Sequence, residues 1–242
     1  MRLSRLYIDK PLQAGQSVKL DGEELNYVSR VLRLKPGNAV TLFNGQGGEY
    51  SGTISELHKR QCIIDIDAFS DIDTESTLNI TLVQCISRGE RMDITLQKAT
   101  ELGIQRIQPV FSKHCTVVLE GKRLEKRHNH WQGVIRSACE QSGRNILPLL
   151  EPAIALNDYL ATTTNNTCLL LDPLAKTSLK DLPVPDSDIQ LLVGPEGGFS
   201  EQERQSAYDN GYQGVQLGPR VLRTETAAIA AMAAIQVLWG DF

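Results

Sequence analysis

Two short loops near the carboxyl end of the chain combine glycine, proline and charged residues in a pattern typical of ligand-binding sites. The first runs from Leu191 to Ser200 and reads LLVGPEGGFS, and the second runs from Leu217 to Ala227 and reads LGPRVLRTETA. Glycine lets a backbone approach a ligand closely, so that main-chain N–H and C=O groups can bind it. A tight strand-to-helix turn is the alternative interpretation of the first loop.

A phosphate is a poor candidate ligand for the first loop. The loop lacks a GxxxxGK[ST] pattern, no lysine follows its glycines, and Glu196 would repel a phosphate. A carboxylate at this place suits ribose hydroxyls or a cationic ligand better. Ser200 and Glu203 fit a capping box, which predicts that a helix begins directly after the loop.

The second loop carries charges that need a separate explanation. Thr224 can cap a following helix, and Glu225 in its first turn complements the helix dipole. Capping does not explain Arg220 and Arg223, whose guanidinium groups suit phosphate and carboxylate ligands. A surface ion pair is the alternative for these two arginines.

From about residue 78 onward, apolar strands alternate with helical patterns, and both loops follow such strands. The predicted strands are Ile80 to Ile86, Ile107 to Phe111, Cys168 to Leu171, Ile189 to Val193 and Val215 to Leu217. The predicted helices are 91–102, 124–142, 156–162, 200–210 and 224–239. This alternation predicts an α/β fold with a parallel sheet covered on both faces. Ligands of such sheets bind outside the carboxyl ends of the strands, where the two loops would lie.

The first part of the chain follows a different pattern. Short apolar or alternating strands over 18–20, 39–43, 49–54 and 62–66 are separated by glycine-containing turns, which predicts a small β-barrel. Asp21 could cap a helix extending through Leu32. We therefore expect one domain over 1–71, a linker over 72–77 within the polar stretch from Ser70 to Thr77, and a second domain over 78–242.

Composition narrows the class of protein. The 242 residues carry a net charge of −4, so the overall charge does not indicate nucleic-acid binding, although a local basic surface can still attract phosphates. Five cysteines occur singly, which favours reduced thiols over a disulfide framework or a zinc site. The chain start lacks the apolar core of a signal peptide, and 227–238 is too short and too rich in alanine for a membrane span. We expect a cytoplasmic protein without metal or membrane contact.

Taken together, GPEGGFS and LGPRVLRTETA resemble the cofactor-binding loops of the SPOUT methyltransferases, and are most similar to the 16S ribosomal RNA uridine N3-methyltransferase family. The resemblance extends to SRGERM at 87–92, QKATELG at 97–103, ACEQSGR at 138–144 and RVLRLKPG at 30–37. These motifs occur in matching order along nearly the whole chain.

The resemblance implies a fold, a cofactor and an oligomeric state. It implies a PUA-like amino-terminal β-barrel, a carboxy-terminal SPOUT domain with a deep trefoil knot, S-adenosylmethionine (SAM) as cofactor, and a homodimer. The reaction implied is methyl transfer to N3 of one uridine of 16S ribosomal RNA in the small ribosomal subunit, position 1498 in standard ribosomal numbering. The implied cofactor-binding residues are Leu171, Asp172, Pro173, Leu192, Val193, Gly194, Pro195, Glu196, Gly197, Leu217, Gly218, Leu222, Arg223, Thr224, Thr226 and Ala227.

Residue chemistry suggests which side chains would take part in such a reaction. The N3 of uridine carries a proton at neutral pH, so its methylation needs a general base or stabilisation of the uracil anion. Glu225 and Glu196 are candidate bases, with cofactor binding or helix capping as their alternative roles, and Arg223 is a candidate for stabilising the anion. Candidate RNA-binding residues are Arg30, Arg33, Lys35, Arg88, Arg91 and Lys98.

Two alternative functions stay open from the sequence. A SPOUT methyltransferase could act on another RNA position or atom, because the loops bind the cofactor and not the target. A non-catalytic RNA-binding assembly factor could also have this fold.

Overall fold

A computed structural model describes residues 3–117, 119–162 and 165–242 of the chain, which divide into two compact units. The first unit comprises Met1–Glu75 together with Cys139–Leu147. The second comprises Ser76–Ala138 and Pro148–Phe242. The segment Cys139–Leu147, which lies within the predicted second domain, therefore belongs to the first unit.

The first unit is a five-stranded curled sheet around an apolar core. Its strands are β1 (Ser4–Tyr7), β2 (Ser17–Leu20), β3 (Ala39–Phe43), β4 (Glu49–Leu57) and β5 (Cys62–Ser70). They lie in the order β1-β3-β4-β5-β2, and all neighbours are antiparallel except β1 and β3. Leu20, Leu42, Ile54 and Ile64 are fully buried, because alternate residues of each strand face the core. The strand β1 has no counterpart in the sequence prediction.

The helix predicted from Asp21 through Leu32 is present over nearly this whole range, but its second half is π-helical. Helix α1 spans Gly22–Asn26, and a π-helical turn follows over Tyr27–Val31. Asp21 occupies the N-cap position, but its side chain makes no capping hydrogen bond. The turn ends near Arg33, which has φ 54° and is the only non-glycine residue with positive φ in the described part.

The carboxyl end of the helix over 121–142 and the residues after it pack within the first unit. The Arg5 guanidinium binds Glu49 and the Asn145 side chain, while Glu140 accepts hydrogen bonds from the Tyr7 backbone N–H at 3.0 Å and the Tyr27 hydroxyl at 2.9 Å. Burial and the Glu140 carboxylate together raise the pKa of Tyr27 to about 12. The ACEQSGR motif thus stabilises the barrel-like unit.

The second unit is built on a sheet whose strand pairs are all parallel in the described residues. Its strands are β6 (Ile80–Cys85), β7 (Arg106–Phe111), β8 (Leu149–Leu150), β9 (Ile154–Ala155), β10 (Thr167–Leu171), β11 (Ile189–Val193) and β12 (Gln213–Val215). The order is β12-β10-β11-β6-β7-β8, and β9 pairs with β7. This sheet confirms the predicted α/β fold, whereas the implied knot stays a prediction.

Five further α-helices and a 3-10 helix over Leu179–Asp181 accompany this sheet in the described part. The α-helices are α2 (Glu90–Glu101), α3 (Gly121–Ser142), α4 (Leu156–Leu160), α5 (Glu201–Asp209) and α6 (Thr224–Trp239). The predicted capping box is confirmed: the Ser200 hydroxyl accepts from the Glu203 backbone N–H, and the Glu203 carboxylate accepts from the Ser200 N–H.

One predicted strand is wrong in its position. The sequence predicts a strand over Val215 to Leu217, but β12 ends at Val215 and pairs only with β10. Gln216 makes an isolated bridge with Ser178 instead. Because the short edge strand β12 ends at Val215, Leu217 and Gly218 make no strand pairing with β10 and belong to the loop.

Candidate active site

The loops after β10, β11 and β12 surround one cavity of about 610 Å³ in the second unit. The carboxyl ends of parallel strands share one edge of a sheet, and this is why the three loops meet there. The lining residues are Arg91, Leu171, Asp172, Pro173, Leu174, Val193, Gly194, Pro195, Glu196, Gly197, Gly198, Phe199, Arg204, Val215, Gln216, Leu217, Gly218, Arg220, Val221, Leu222, Arg223, Thr224 and Ala227.

Most of the cofactor-binding residues that the resemblance implies line this cavity, and two do not. Leu192 is fully buried in the core beneath the sheet, because alternate residues of β11 face opposite sides. Thr226 lies on the exposed side of α6. Of the candidate catalytic residues, Glu196 and Arg223 line the cavity, whereas Glu225 is not among its lining residues.

Glu196 is held by three hydrogen-bond donors. Its Oε1 accepts from the Arg91 guanidinium at 2.6 Å and from the Arg88 backbone N–H at 3.1 Å. Partial burial raises the pKa of Glu196. The Arg91 side chain and the backbone N–H groups of Glu196 and Arg88 together lower it by more, so that the net pKa lies below its ordinary value. A carboxylate of lowered pKa is a weak proton acceptor and a persistent negative charge.

Close packing around two glycines fixes the first loop. A Cβ on Gly197 would lie 2.9 Å from the Cβ of His114, and one on Gly194 would lie 3.0 Å from the Phe199 ring. His114 Nδ1 lies 3.2 Å from the Gly197 carbonyl and 3.1 Å from that of Gly198, so that an N–H there donates to both. The loop after β7 therefore supports GPEGG from outside the cavity.

Thr224 joins the two loops, and its expected capping role is wrong. The N-cap of α6 is Arg223, without a side-chain capping bond. The Thr224 hydroxyl donates instead to the Gly194 carbonyl at 2.6 Å and accepts from the Gln84 amide at 3.1 Å. A buried side chain at the start of α6 thus holds the first loop at a fixed distance.

Asp172 is a buried carboxylate in the cavity wall. It accepts hydrogen bonds from the Tyr208 hydroxyl at 2.6 Å and the Leu174 backbone N–H at 2.9 Å, and Arg204 lies 3.9 Å away. Burial, together with the hydrogen bond to Asp172, raises the pKa of Tyr208 to about 12. The hydroxyl therefore stays a donor that orients this carboxylate.

The cavity rim is cationic and apolar. Arg220 and Arg223 are exposed, and Arg223 has no ion-pair partner in the part of the chain that the structure describes. Leu174 and Val221 are 72% and 84% exposed. Such a rim suits a partner that offers negative charge and flat apolar surface, as a nucleotide does.

The structure separates the six candidate RNA-binding residues. Arg30, Arg33 and Lys35 are exposed in the first unit, at the π-helical turn and the segment after it. In the second unit, Arg88 is exposed, Arg91 is paired with Glu196, and Lys98 is paired with Glu101 at 2.8 Å.

Sequence reasoning missed several residues of this site. Phe199, Arg204 and Gln216 line the cavity, and His114 and Gln84 support its loops. Arg204 lies in the first turn and a half of the helix that begins directly after the first loop, and this nearness in sequence could have indicated it. Gln84 and His114 are distant in sequence and gave no such indication.

Two classes of feature are absent from the described ranges. Residues 3–117, 119–162 and 165–242 contain no group of three or more His, Cys, Asp or Glu side chains placed to hold a metal ion. None of the helices in these ranges has both the length and the apolar character to cross a bilayer.

Comparison with known families defines the class of protein. The model of the RNA methyltransferase domain matches residues 74–236, and that of the RNA methyltransferase PUA domain matches residues 20–67. The chain belongs to the RNA methyltransferase family, whose members are enzymes that methylate RNA.

Individual relatives narrow this class. The chain is 35% identical over 241 residues to ribosomal RNA small subunit methyltransferase E from Buchnera aphidicola subsp. Schizaphis graminum, covering 99% of this chain and 98% of the relative. It is 33% identical to the enzyme of the same name from Rickettsia conorii, covering 98% and 97%. These similarities confirm the resemblance to the 16S ribosomal RNA methyltransferases.

Solved structures give the same result. Ribosomal RNA small subunit methyltransferase E from Neisseria gonorrhoeae, bound to S-adenosyl methionine, has a TM-score of 0.96, 45% identity and full coverage of both chains. A methyltransferase from Legionella pneumophila in complex with SAM has a TM-score of 0.95, 37% identity and full coverage of both chains.

Proposed function

We propose that this protein transfers the methyl group of SAM to N3 of one uridine in the 16S ribosomal RNA of the small subunit, position 1498 in standard ribosomal numbering. The supporting observation is the cavity. An ionised Glu196 lies in its wall, and Arg223, which has no ion-pair partner among the described residues, lies at its rim. The relatives from Buchnera aphidicola, Rickettsia conorii and Neisseria gonorrhoeae are named ribosomal RNA small subunit methyltransferases, and two similar structures hold SAM. We place the protein in the cytoplasm, because bacterial ribosomes are assembled there.

The cavity fits SAM in size and in chemistry. A volume of about 610 Å³ lies within the range of small-molecule pockets. Leu171, Val193 and Leu222 offer apolar surface to an adenine ring, and the buried Asp172 carboxylate can accept from a ribose hydroxyl. The persistent negative charge of Glu196 complements a sulfonium.

SAM supplies the methyl electrophile when it is bound, and the protein must position uridine and remove its N3 proton. We assign the stabilisation of negative charge on the uracil oxygens to Arg223, which is exposed at the rim without an ion-pair partner among the described residues. Positioning supplies much of the rate of such a displacement.

We assign proton removal to Glu225 in preference to Glu196. The Glu196 carboxylate is already occupied by Arg91 and by backbone N–H groups, which lower its pKa. Oε2 of Glu225 is buried and has no hydrogen-bond partner among the described residues. Glu225 is close enough to Arg91 for its charge to raise the arginine pKa, after the larger effect of the Glu196 hydrogen bond. It therefore lies near the cavity although it does not line it.

The first unit would dock the enzyme on the RNA. Arg30, Arg33 and Lys35 are exposed on the π-helical turn and the segment that follows it, where they can contact phosphates. Arg88 would add a contact in the second unit. Arg91 and Lys98 are occupied by carboxylates, so we expect smaller contributions from them.

A homodimer explains the composition of α6. Glu225 is the only charged residue of this helix, and Thr224, Ala228, Met232 and Ile235 bury one face. On the other side Val237 is 65% exposed and Leu238 41% exposed. A helix that is apolar on all sides is normally buried, and a second copy of the chain is the proposed cover.

Labelled SAM and small ribosomal subunits that lack the modification test the proposal. The expected result is one labelled nucleoside, identified by mass spectrometry as N3-methyluridine at one site of 16S ribosomal RNA. Label at another position or atom would support a different RNA target. SAM and RNA binding without any transfer would support a non-catalytic assembly factor.

A further inference from the structure

A buried glutamine connects the central strand of the second unit to both cavity loops. Gln84 lies near the end of β6, and its Cα pairs in register with Val193, the residue directly before Gly194. Its side chain is fully buried in a strand that is otherwise apolar except for Thr81. The first loop therefore begins beside Gln84, and the second loop reaches its amide through Thr224.

The hydrogen-bond directions in this chain of contacts are determined by chemistry. The Gly194 carbonyl can only accept, so that the single proton of the Thr224 hydroxyl is donated to it at 2.6 Å. The Gln84 amide must then donate to the Thr224 oxygen, at 3.1 Å, and its second N–H reaches the Cys85 carbonyl at 2.9 Å. Thr224 thus uses its only proton within the protein.

One polar atom of the Gln84 side chain lacks a partner in the described part of the chain. Its Oε1 is buried and accepts no hydrogen bond among the described residues. A buried polar atom without a partner destabilises the folded state, and an apolar side chain of similar size avoids this loss. The unpaired oxygen therefore offsets part of the stability that the two hydrogen bonds donated by Gln84 provide.

We infer that Gln84 is a positioning residue for the SAM pocket: through Thr224 it fixes the Gly194 carbonyl and thereby sets the separation of the two loops. This inference rests on the proposed function. Gly194 and Thr224 both line the cavity, so that their distance determines its width at this point. Thr224 therefore shapes the pocket in two ways: it lines the cavity itself, and it holds the Gly194 carbonyl in place.

Titration calorimetry with SAM tests the inference on full-length variants. Thr224→Val, which removes the hydroxyl but keeps the shape, should weaken SAM binding about tenfold, and Gln84→Met about threefold or more. Thr224→Ser should restore affinity to within about twofold of wild type. In steady-state assays KM for SAM should rise, whereas KM for the RNA should stay unchanged.

Gln108→Met is the matched control. Gln108 is buried on the neighbouring strand β7, and its amide also donates to the next residue's carbonyl, that of Pro109, but its other contact is the Pro152 carbonyl away from the cavity. The control should bind SAM as wild type does. The melting temperature of Gln84→Met should be no lower than that of Gln108→Met, because Gln84→Met also removes the unpaired oxygen.

The double variant Gln84→Met/Thr224→Val should bind SAM no more weakly than Thr224→Val alone, because the glutamine acts through the threonine. Wild-type affinity in Gln84→Met, an equal loss in Gln108→Met, additive losses in the double variant, or failure of Thr224→Ser to restore binding would each overturn the role of Gln84. Absence of SAM binding by the wild-type protein would instead remove the proposed function.

Discussion

At the scale of single residues, the contacts of the two glutamates separate roles that their residue type leaves open. Both can be bases or ligand contacts when only the sequence is considered. In the folded protein the Glu196 carboxylate accepts hydrogen bonds from Arg91 and from the Arg88 backbone N–H, whereas one oxygen of Glu225 has no partner in the described ranges. These hydrogen-bond partners are the basis for assigning the proposed proton acceptor to Glu225 in preference to Glu196.

Glu196→Gln should weaken SAM binding about tenfold, because the negative charge proposed to complement the sulfonium is lost. In the wild type, the lowered pKa keeps Glu196 ionised at any pH above the ordinary glutamate pKa of about 4.3. The affinity should therefore be constant from neutral pH down to about pH 5 and fall only at lower pH, as the carboxylate becomes protonated. Calorimetry over this range checks the prediction, with the exposed Glu90→Gln as control. A decline that begins near neutral pH would contradict it.

Glu225→Gln should lower kcat by about a hundredfold or more, because the amide cannot take the N3 proton. KM for SAM should change little, since Glu225 does not line the cavity. Single-turnover rates measured against pH provide the check. Full turnover with an unchanged pH profile would rule out Glu225 as the base.

At the scale of elements, helix α5 is tied to the site through its first turn. The Glu203 carboxylate accepts from the Ser200 N–H at 2.9 Å and from the Lys113 N–H at 2.6 Å. One side chain thus caps α5 and anchors the loop that carries His114. Burial raises the pKa of Glu203, but these hydrogen bonds lower it by a larger amount, so that the net pKa lies below its ordinary value.

Ser200→Ala should lower the free energy of unfolding by about 1 kcal/mol, the usual effect of removing an N-cap. Urea denaturation at neutral pH measures this change. The matched control is Ser206→Ala, which removes a hydroxyl from the middle of the same helix and should change stability by less than about 0.5 kcal/mol. Equal effects of the two substitutions would contradict the capping role of Ser200.

At the scale of the whole molecule, the net charge of the chain does not reveal a local group of positive charges. The chain carries a net charge of −4, yet three exposed cations lie close together in the sequence of the first unit, on and just after the π-helical turn. Phosphate attraction depends on such local groups. Each unit thus has its own proposed role: the first binds RNA and the second binds SAM.

Charge reversal at both Arg30 and Arg33 should weaken RNA binding and flatten its salt dependence, by about one unit of slope for each phosphate that the variant no longer neutralises. Fluorescence anisotropy at several salt concentrations measures both quantities. Reversal of Lys59 and Arg60, which are exposed in the turn between β4 and β5, is the matched control. Equal losses of affinity in the two double variants would indicate a diffuse charge effect in place of a defined binding surface.

Val237→Glu should convert the proposed homodimer into a monomer, because a charge would be buried in an apolar interface. Sedimentation velocity gives the oligomeric state, and circular dichroism verifies the fold. Val184→Glu places the same charge at a residue of similar exposure, 71%, outside α6, and should leave the dimer intact. A wild-type monomer at micromolar concentration would contradict the assignment of this face.

The sequence by itself determined the parallel α/β fold, the position of α6 and the capping box of α5, since each depends on local spacing of apolar or capping residues. It also identified the two loops, because glycine, proline and charge stand together in each of them. Tertiary structure alone decided that Arg91 pairs with Glu196, that the Gln84 amide donates a hydrogen bond to Thr224 and that β12 ends at Val215. These partners are far apart along the chain, and only strand order and loop packing bring them into contact.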